Sequence, residues 1–533
     1  MRRGVAPYTK ALLDFRTKKT IYKPIQHKNI GYIGYIGNNL CKQSQQSITQ
    51  STSPKTLSTY RKYLTTLTKE FASNHKPILD KLFSIKQNPT SYYNLKLKHS
   101  TNTLGSNTTL KIPPFVEIFK HLITQPTISK YFTPTELTTL QNILTSPTAQ
   151  RADVLGATHL PSNHTIYTEL HKHSTLGNKL VDAYYNEFNS LNLESKYPST
   201  RFHQLLINGF TSFKILEDIE KHLNSISIGS LEYKDKSYND ILYIFHNNQE
   251  YTPAKINQLA NQVIQRLLFF NDFLGTDKLP NKFIIFLTKQ EKEIDDTLEH
   301  HQHFRTININ TAVTNGRDII IYREQELLKS VFHELIHFHQ LDFRSFPNSQ
   351  VEHTILAYLK KTHNIADNNE YLLYECITET LANILNNIYS RGTKNIYTFQ
   401  NNLIDEIIFS TFQVSKILQI CKYISWEEFT LLETHKPNSK KHFKQDSCVF
   451  SYYILKLYLL LNLNEYWHNI LDNHLKFNPT PENFNKLIAL FEQGRNNTTL
   501  ARIINSLLLN HSSKNKYSKK TKINKTLRMT CVE

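Results

Sequence analysis

An α+β fold, mostly helical with one small sheet, is what this sequence of 533 residues predicts, and three observations predict it. Glycine is scarce, 13 positions in the whole chain, about a third of the average share. That disfavours architectures built on glycine turns or glycine-rich phosphate loops, and it costs a helical protein least. Three short apolar runs, at 241–245 (ILYIF), 282–288 (KFIIFLT) and 318–322 (DIIIY), read as buried strands. After Arg323 the apolar residues recur at spacings of three and four to nearly residue 510. A sheet followed by a long helical remainder is an α+β arrangement.

Taken in order, residues 1–115 are basic and polar, and the Ser/Thr/Gln/Asn-rich stretches 43–58 and 100–109 are expected to be loops or partly disordered linkers. Residues 116–230 read as a helical region with no chemical motif. Its signals are the stripes Phe115, Val116, Ile118, Phe119, Leu122 and Leu205, Leu206, Phe210, Phe213, Leu216. From 235 to 510 a further domain is expected: the first strand, a helix from Pro253 to about Phe273, then the second strand. The Asn315-Gly316 turn introduces the third, ahead of the helical part. Residues 511–533 hold few large apolar side chains and read as a disordered basic tail. The longest apolar run, 449–461, is interrupted by Ser451 and Lys456 and falls short of the ~20 residues of a membrane span. It reads as a core helix, and no transmembrane segment is expected.

Net charge is +18, from 63 basic and 45 acidic side chains. Residues 1–28 carry eight basic side chains against Asp14, and residues 512–530 carry seven with no acid, so most of the surplus lies at the two ends. Nucleic acid or another anionic surface is an expected contact for those ends, not for the body. Five scattered cysteines without a CxxC pair, and a first thirty residues without an apolar signal core, predict an intracellular, reducing location.

The chemistry is carried by Glu324–Phe343, EQELLKSVFHELIHFHQLDF. Leu328, Val331, Phe332 and Leu335 form a helical stripe. His333 and His337, four apart, project from one helix face, where two imidazoles can share a metal ion. Glu334 stands beside that face, where its carboxylate can take a proton from water. In a chain with 24 histidines the HExxH pattern arises by chance about 0.05 times. Zinc normally takes a third protein ligand. His339 is turned about 200° from His337 and points away, and Asp342 is poorly aimed as a ligand. The better source is Tyr371–Asn387, YLLYECITETLANILNN, where Glu375 and Glu379 lie four apart with Ala382 continuing their face. Two such carboxylates repel unless a cation stands between or beside them. Glu375 is read as the third ligand, Glu379 as the acceptor for the outer N–H of a ligand histidine, and Ala382 as the small residue that lets the two helices close.

HELIH followed by a helix with ExxxE resembles the gluzincin branch of the zincin metallopeptidases. More narrowly, the run NGRDIIIYREQELLKSVFHELIHFHQLDF resembles uncharacterised metallopeptidase-like proteins of large DNA viruses, and Ser447–Lys456 is similar to their C-terminal part. The resemblance covers roughly residues 235–500. It implies one Zn2+ held by His333, His337 and Glu375, a polypeptide substrate, and Glu334 as the general base that later protonates the leaving amine. It also implies that the strand Ile319, Ile320, Ile321, Tyr322 is the edge strand that pairs with the substrate. An oxyanion stabiliser is expected, with Tyr452, Tyr453, His435 and His442 as candidates. A viral origin places the protein in host cytoplasm or virion. One alternative stays open, a catalytically idle zincin-fold structural or virion protein that binds nucleic acid or other anionic partners through its basic ends; the cluster His300, His301, His303 reads as a polar loop rather than a contact to metal or substrate.

Overall fold

The computed structural model describes residues 42–49, 52–88, 93–100, 115–145, 213–294, 302–344, 350–366, 371–390, 392–432, 443–512 and 522–532, with isolated positions between 170 and 183 and at 298. The strands are β1 (Tyr93–Ser100), β2 (Ser225–Tyr233), β3 (Lys236–His246), β4 (Phe283–Phe286), β5 (His303–Phe304), β6 (Ala312–Thr314), β7 (Ile319–Ile321) and β8 (Lys444–Gln445). Six of them form one mixed sheet in the order β1-β2-β3-β4-β7-β6, and β5 pairs with β8. β3, β4 and β7 are parallel neighbours, while β6 runs antiparallel to β7 at one edge and β1 antiparallel to β2 at the other.

Both faces of the central strands are covered, so these strands appear in the sequence as unbroken apolar runs. Leu242, Ile244, Phe283, Ile285, Ile319 and Ile321 point into the larger core, beside the helices Pro253–Leu274 and Leu327–Phe338. Tyr243, Phe245, Ile284, Phe286, Ile320 and Tyr322 point into a second core. That core is completed by Phe119 and Leu122, by Leu140 and Leu144 of the helix Pro134–Thr145, and by Leu216 and Ile219 of the helix Phe213–His222. The segments with helical spacing around 115–122 and 213–216 thus cover the far face of the sheet.

The three predicted strands and the helix at Pro253 are present, the helix running to Leu274 and closing on Gly275 in the left-handed region. β1, β2 and β6 went unseen in the sequence. The polar stretch 43–58 also departs from expectation: residues 42–49 are helical, and Ile48, with Tyr60, Leu64 and Phe71 of the helix Pro54–Asn74, belongs to the main core. Its apolar residues are few, yet Ile48 is fully buried. In the next helix, Lys76–Gln87, the Lys86 ammonium donates to the carbonyls of Ile388, Ser390 and Thr393 and so closes the end of the helix Tyr374–Tyr389.

A second correction concerns the C-terminal segment. Residues 522–532 are not a solvated tail: Ile523, Leu527, Met529 and Cys531 are buried in the main core. The backbone of this segment is held by buried side chains, with Lys416 donating to the carbonyls of Ile523 and Thr526, Tyr453 to that of Leu527 and Lys456 to that of Met529. Lys514, Lys516, Lys519 and Lys520 lie outside the described residues, as do residues 1–28. Cys531 is disulfide-bonded, which the scattered cysteines do not announce. The run 449–461 is a buried π-turn, Phe450–Leu455, continued by the helix Lys456–Leu461. Among the described residues no helix is long and apolar enough to cross a membrane.

Candidate metal centre

All twelve residues of the helix Leu327–Phe338 are buried, which is why its sequence is apolar on every side except at Lys329, Ser330, His333, Glu334 and His337. It starts directly after β7 and packs against the helix Tyr374–Tyr389, with Ala382 wholly buried in the main core. The two helices bring His333, His337 and Glu375 together. His333 Nε2 is 3.2 Å from His337 Nε2 and 3.2 Å from Glu375 Oε2, and His337 Nε2 is 3.4 Å from the same carboxylate oxygen.

Those spacings fit a metal ion. Ligand atoms placed at 2.0–2.1 Å around a tetrahedral zinc stand about 3.3–3.4 Å apart. The outer ring nitrogens explain the direction of the inner ones. His333 Nδ1 donates to Glu379 Oε2 at 2.9 Å, and His337 Nδ1 donates to Asp342 Oδ2 at 2.5 Å. With the proton on Nδ1 of each ring, two Nε2 lone pairs and one carboxylate oxygen face a common point with no hydrogen between them. Such a buried trio repels itself unless a positive charge, a proton in the metal-free protein or a metal ion, occupies that point. Glu375 Oε2 accordingly has no ordinary hydrogen-bond partner, and neither has Glu334 Oε2.

The electrostatics follow the same geometry. Burial pushes the Glu334 carboxyl up from its ordinary value, partly offset by the charges of His333 and His337. Burial also acts to raise Glu375, but the two imidazoles outweigh it and hold the group well below the usual carboxylate range. Glu379 is likewise held low against burial, first by Lys329, whose ammonium reaches both carboxylate oxygens at 2.8 Å, and then by His333. Burial alone would lower His337; Glu375 and Asp342 reverse that and set it well above the ordinary imidazole value.

Several residues singled out from the sequence gather at this site and others stand apart from it. Glu334, Tyr452, Arg344, Tyr374 and Ser330 line the same cavity as the three candidate ligands. The Tyr452 ring lies 5.9 Å from that of His333 and the Tyr374 ring 5.8 Å from that of His337. Tyr453 is outside the cavity and is spent on the Leu527 carbonyl, which removes it as an oxyanion candidate. His435 and His442 lie outside the described residues, as do His300 and His301; His303 pairs with Asp446 on the β5–β8 ribbon. His339 packs at a tilt against Phe270, away from the site, as its 200° offset requires. Asp342 is no ligand, yet the chain turn after His337 brings its carboxylate behind that ring, where Thr378 also donates to it at 3.0 Å.

The expected edge strand needs correcting. β7 has neighbours on both sides, β4 and β6, so Ile319, Ile320, Ile321 and Tyr322 have no free backbone edge to offer. The edge beside the metal centre is β6. Tyr322 donates its N–H to the Thr311 carbonyl and Asn315 to that of Asp318, so the intervening pattern turns the backbone groups of Ala312 and Thr314 outward. Arg344 Nη1 already reaches the Thr314 carbonyl at 3.2 Å, and Ala312, Val313 and Thr314 line the cavity. With only three residues and no apolar run, β6 gave no strand signal. Lys329 had a legible one, since 329, 333 and 337 are spaced by four on one helix face.

No protein-family model and no solved structure matches the chain. An uncharacterised protein of Acanthamoeba polyphaga mimivirus is 28% identical over 211 residues, which are 37% of this chain and 50% of that protein. The chain thus spans about half the length of this viral relative.

Proposed function

We propose that the chain is a zinc-dependent peptidase whose ion is held by His333 Nε2, His337 Nε2 and Glu375 Oε2. The observation that carries this reading is the convergence of three buried acceptor atoms, 3.2–3.4 Å apart, beside an unpartnered buried carboxylate oxygen of Glu334. When bound, zinc supplies Lewis acidity that brings the ionisation of water toward neutral pH.

The protein's own groups do the rest. Glu334, raised by burial, accepts a proton from water and returns it to the leaving amine. Asp342 and Glu379 keep both imidazoles in the tautomer with a free Nε2. The outward backbone groups of Ala312 receive an extended polypeptide by strand addition. Tyr452, whose hydroxyl is kept protonated by burial and by the surrounding carboxylates, donates to the oxyanion that develops on the scissile carbonyl. Virus-encoded status is part of the same proposal, supported by the partial similarity to a mimivirus protein.

The test is incubation of the purified protein with a denatured protein mixture, followed by sequencing of the new termini with and without a zinc chelator. New termini that vanish with the chelator and return with added zinc are expected. No new termini in the zinc-loaded sample would refute the peptidase reading.

A further inference from the structure

A buried charge network leads from the metal centre to residues 522–532, and nothing in the hydrolytic chemistry calls for it. Glu326 precedes the histidine helix, is wholly buried, and adopts φ 61°, a left-handed conformation in which a non-glycine residue is strained. One of its carboxylate oxygens accepts the backbone N–H groups of both Met529 (2.6 Å) and Thr530 (2.7 Å). The other accepts from the buried Lys292 ammonium at 2.6 Å. One turn further along, Lys329 donates to both oxygens of Glu379, and the Met529 sulfur stands 3.7 Å from the same ammonium. Glu379 in turn holds His333. Across the segment, Glu406 accepts from Thr530 Oγ1 and the Cys531 N–H, and Lys456 donates to the Met529 carbonyl.

We infer that segment 522–532 is part of the metal centre, and that its docking and zinc binding are energetically coupled through Glu326, Met529, Lys329 and Glu379. Met529 excludes water from the Lys329 ammonium, so the Lys329–Glu379 pair keeps one geometry and His333 one orientation. Glu326 fixes where Met529 sits. Undocking the segment leaves Glu326, Glu406 and Lys456 without their backbone partners and opens Lys329 to solvent, which loosens Glu379 and the ring it holds. Coupling of this kind is reciprocal: whatever factor docking adds to zinc affinity, zinc adds to docking. Lys329, Glu326 and Met529 are positioning residues, acting on the metal only through Glu379 and His333.

The inference rests on zinc binding at this site but not on peptidase activity, and its test reads metal and backbone alone. Zinc affinity is measured by chelator competition on the full chain as wild type, Glu326→Gln and Met529→Ala, and amide hydrogen exchange at Met529 and Thr530 is followed in the wild type with and without zinc. Both variants are expected to bind zinc more weakly, Glu326→Gln by about 10–100-fold, and zinc is expected to slow exchange at the two amides. Should Glu326→Gln fail to fold, Met529→Ala, which leaves every buried charge paired, gives the same comparison. Wild-type zinc affinity in the folded variants, or exchange at Met529 and Thr530 that ignores zinc, overturns the coupling while leaving the metal site standing. A wild type that binds no zinc overturns both.

Discussion

Glu334 and Tyr452 share a cavity with the proposed ligands but are given different work, and single substitutions separate them from the metal. Glu334→Gln keeps the volume and removes the proton acceptor, so the zinc content should stay at the wild-type level while cleavage falls by about 10²–10⁴-fold. Undiminished cleavage by that variant would remove Glu334 from its role. Tyr452→Phe deletes only a hydroxyl; kcat should drop by about 10²–10³-fold with zinc stoichiometry unchanged. Asp342→Ala acts elsewhere. It frees His337 Nδ1 from its carboxylate partner and should weaken zinc binding by about 10–100-fold in a chelator titration. Equal affinity would mean that the His337–Asp342 contact does not orient the ring for metal.

At the scale of elements, close packing between helices sets the tolerances. Gly494, in the helix Pro481–Arg495, faces the Tyr458 ring of the helix Lys456–Leu461 so closely that an added Cβ would stand 2.5 Å from ring carbons. Gly494→Ala should therefore cost about 1–3 kcal/mol in urea unfolding, despite the better helix propensity of alanine. An unchanged midpoint would show that the ring can move aside. Element identity was legible where burial on both faces produced apolar runs, as in β3, β4 and β7, and where one helix carried HELIH and the next ExxxE. It was not legible where long-range partners decide the structure. β6 is three residues set by pairing with β7. β1, with Lys96, Lys98 and His99 among its eight residues, is a strand because β2 supplies its hydrogen bonds. The role of Asp342 was hidden because it depends on a turn after the helix, which periodicity cannot describe.

For the whole molecule, segment 522–532 was the least visible part of the fold. Its apolar residues are interspersed with basic and polar ones, and much of its anchoring comes from side chains of Lys416, Lys456, Glu326 and Glu406 that are distant in sequence. Global stability should also respond to acid through His363, which burial and then the Arg495 charge lower to about 3. Between the unfolded value near 6.5 and the folded value, the unfolded chain binds a proton that the folded chain refuses, so stability rises with pH in that window and falls on acidification. Replacement of His363 by Asn should flatten the slope of unfolding free energy between pH 6 and 4; an identical slope would assign the acid sensitivity to other groups. All of the proposed chemistry, however, depends on the ion. Elemental analysis of the purified wild type and of His333→Ala measures it directly. One zinc per wild-type chain and none in the variant is the expected result. A folded wild type that takes up no zinc, or a variant that holds as much, would contradict it.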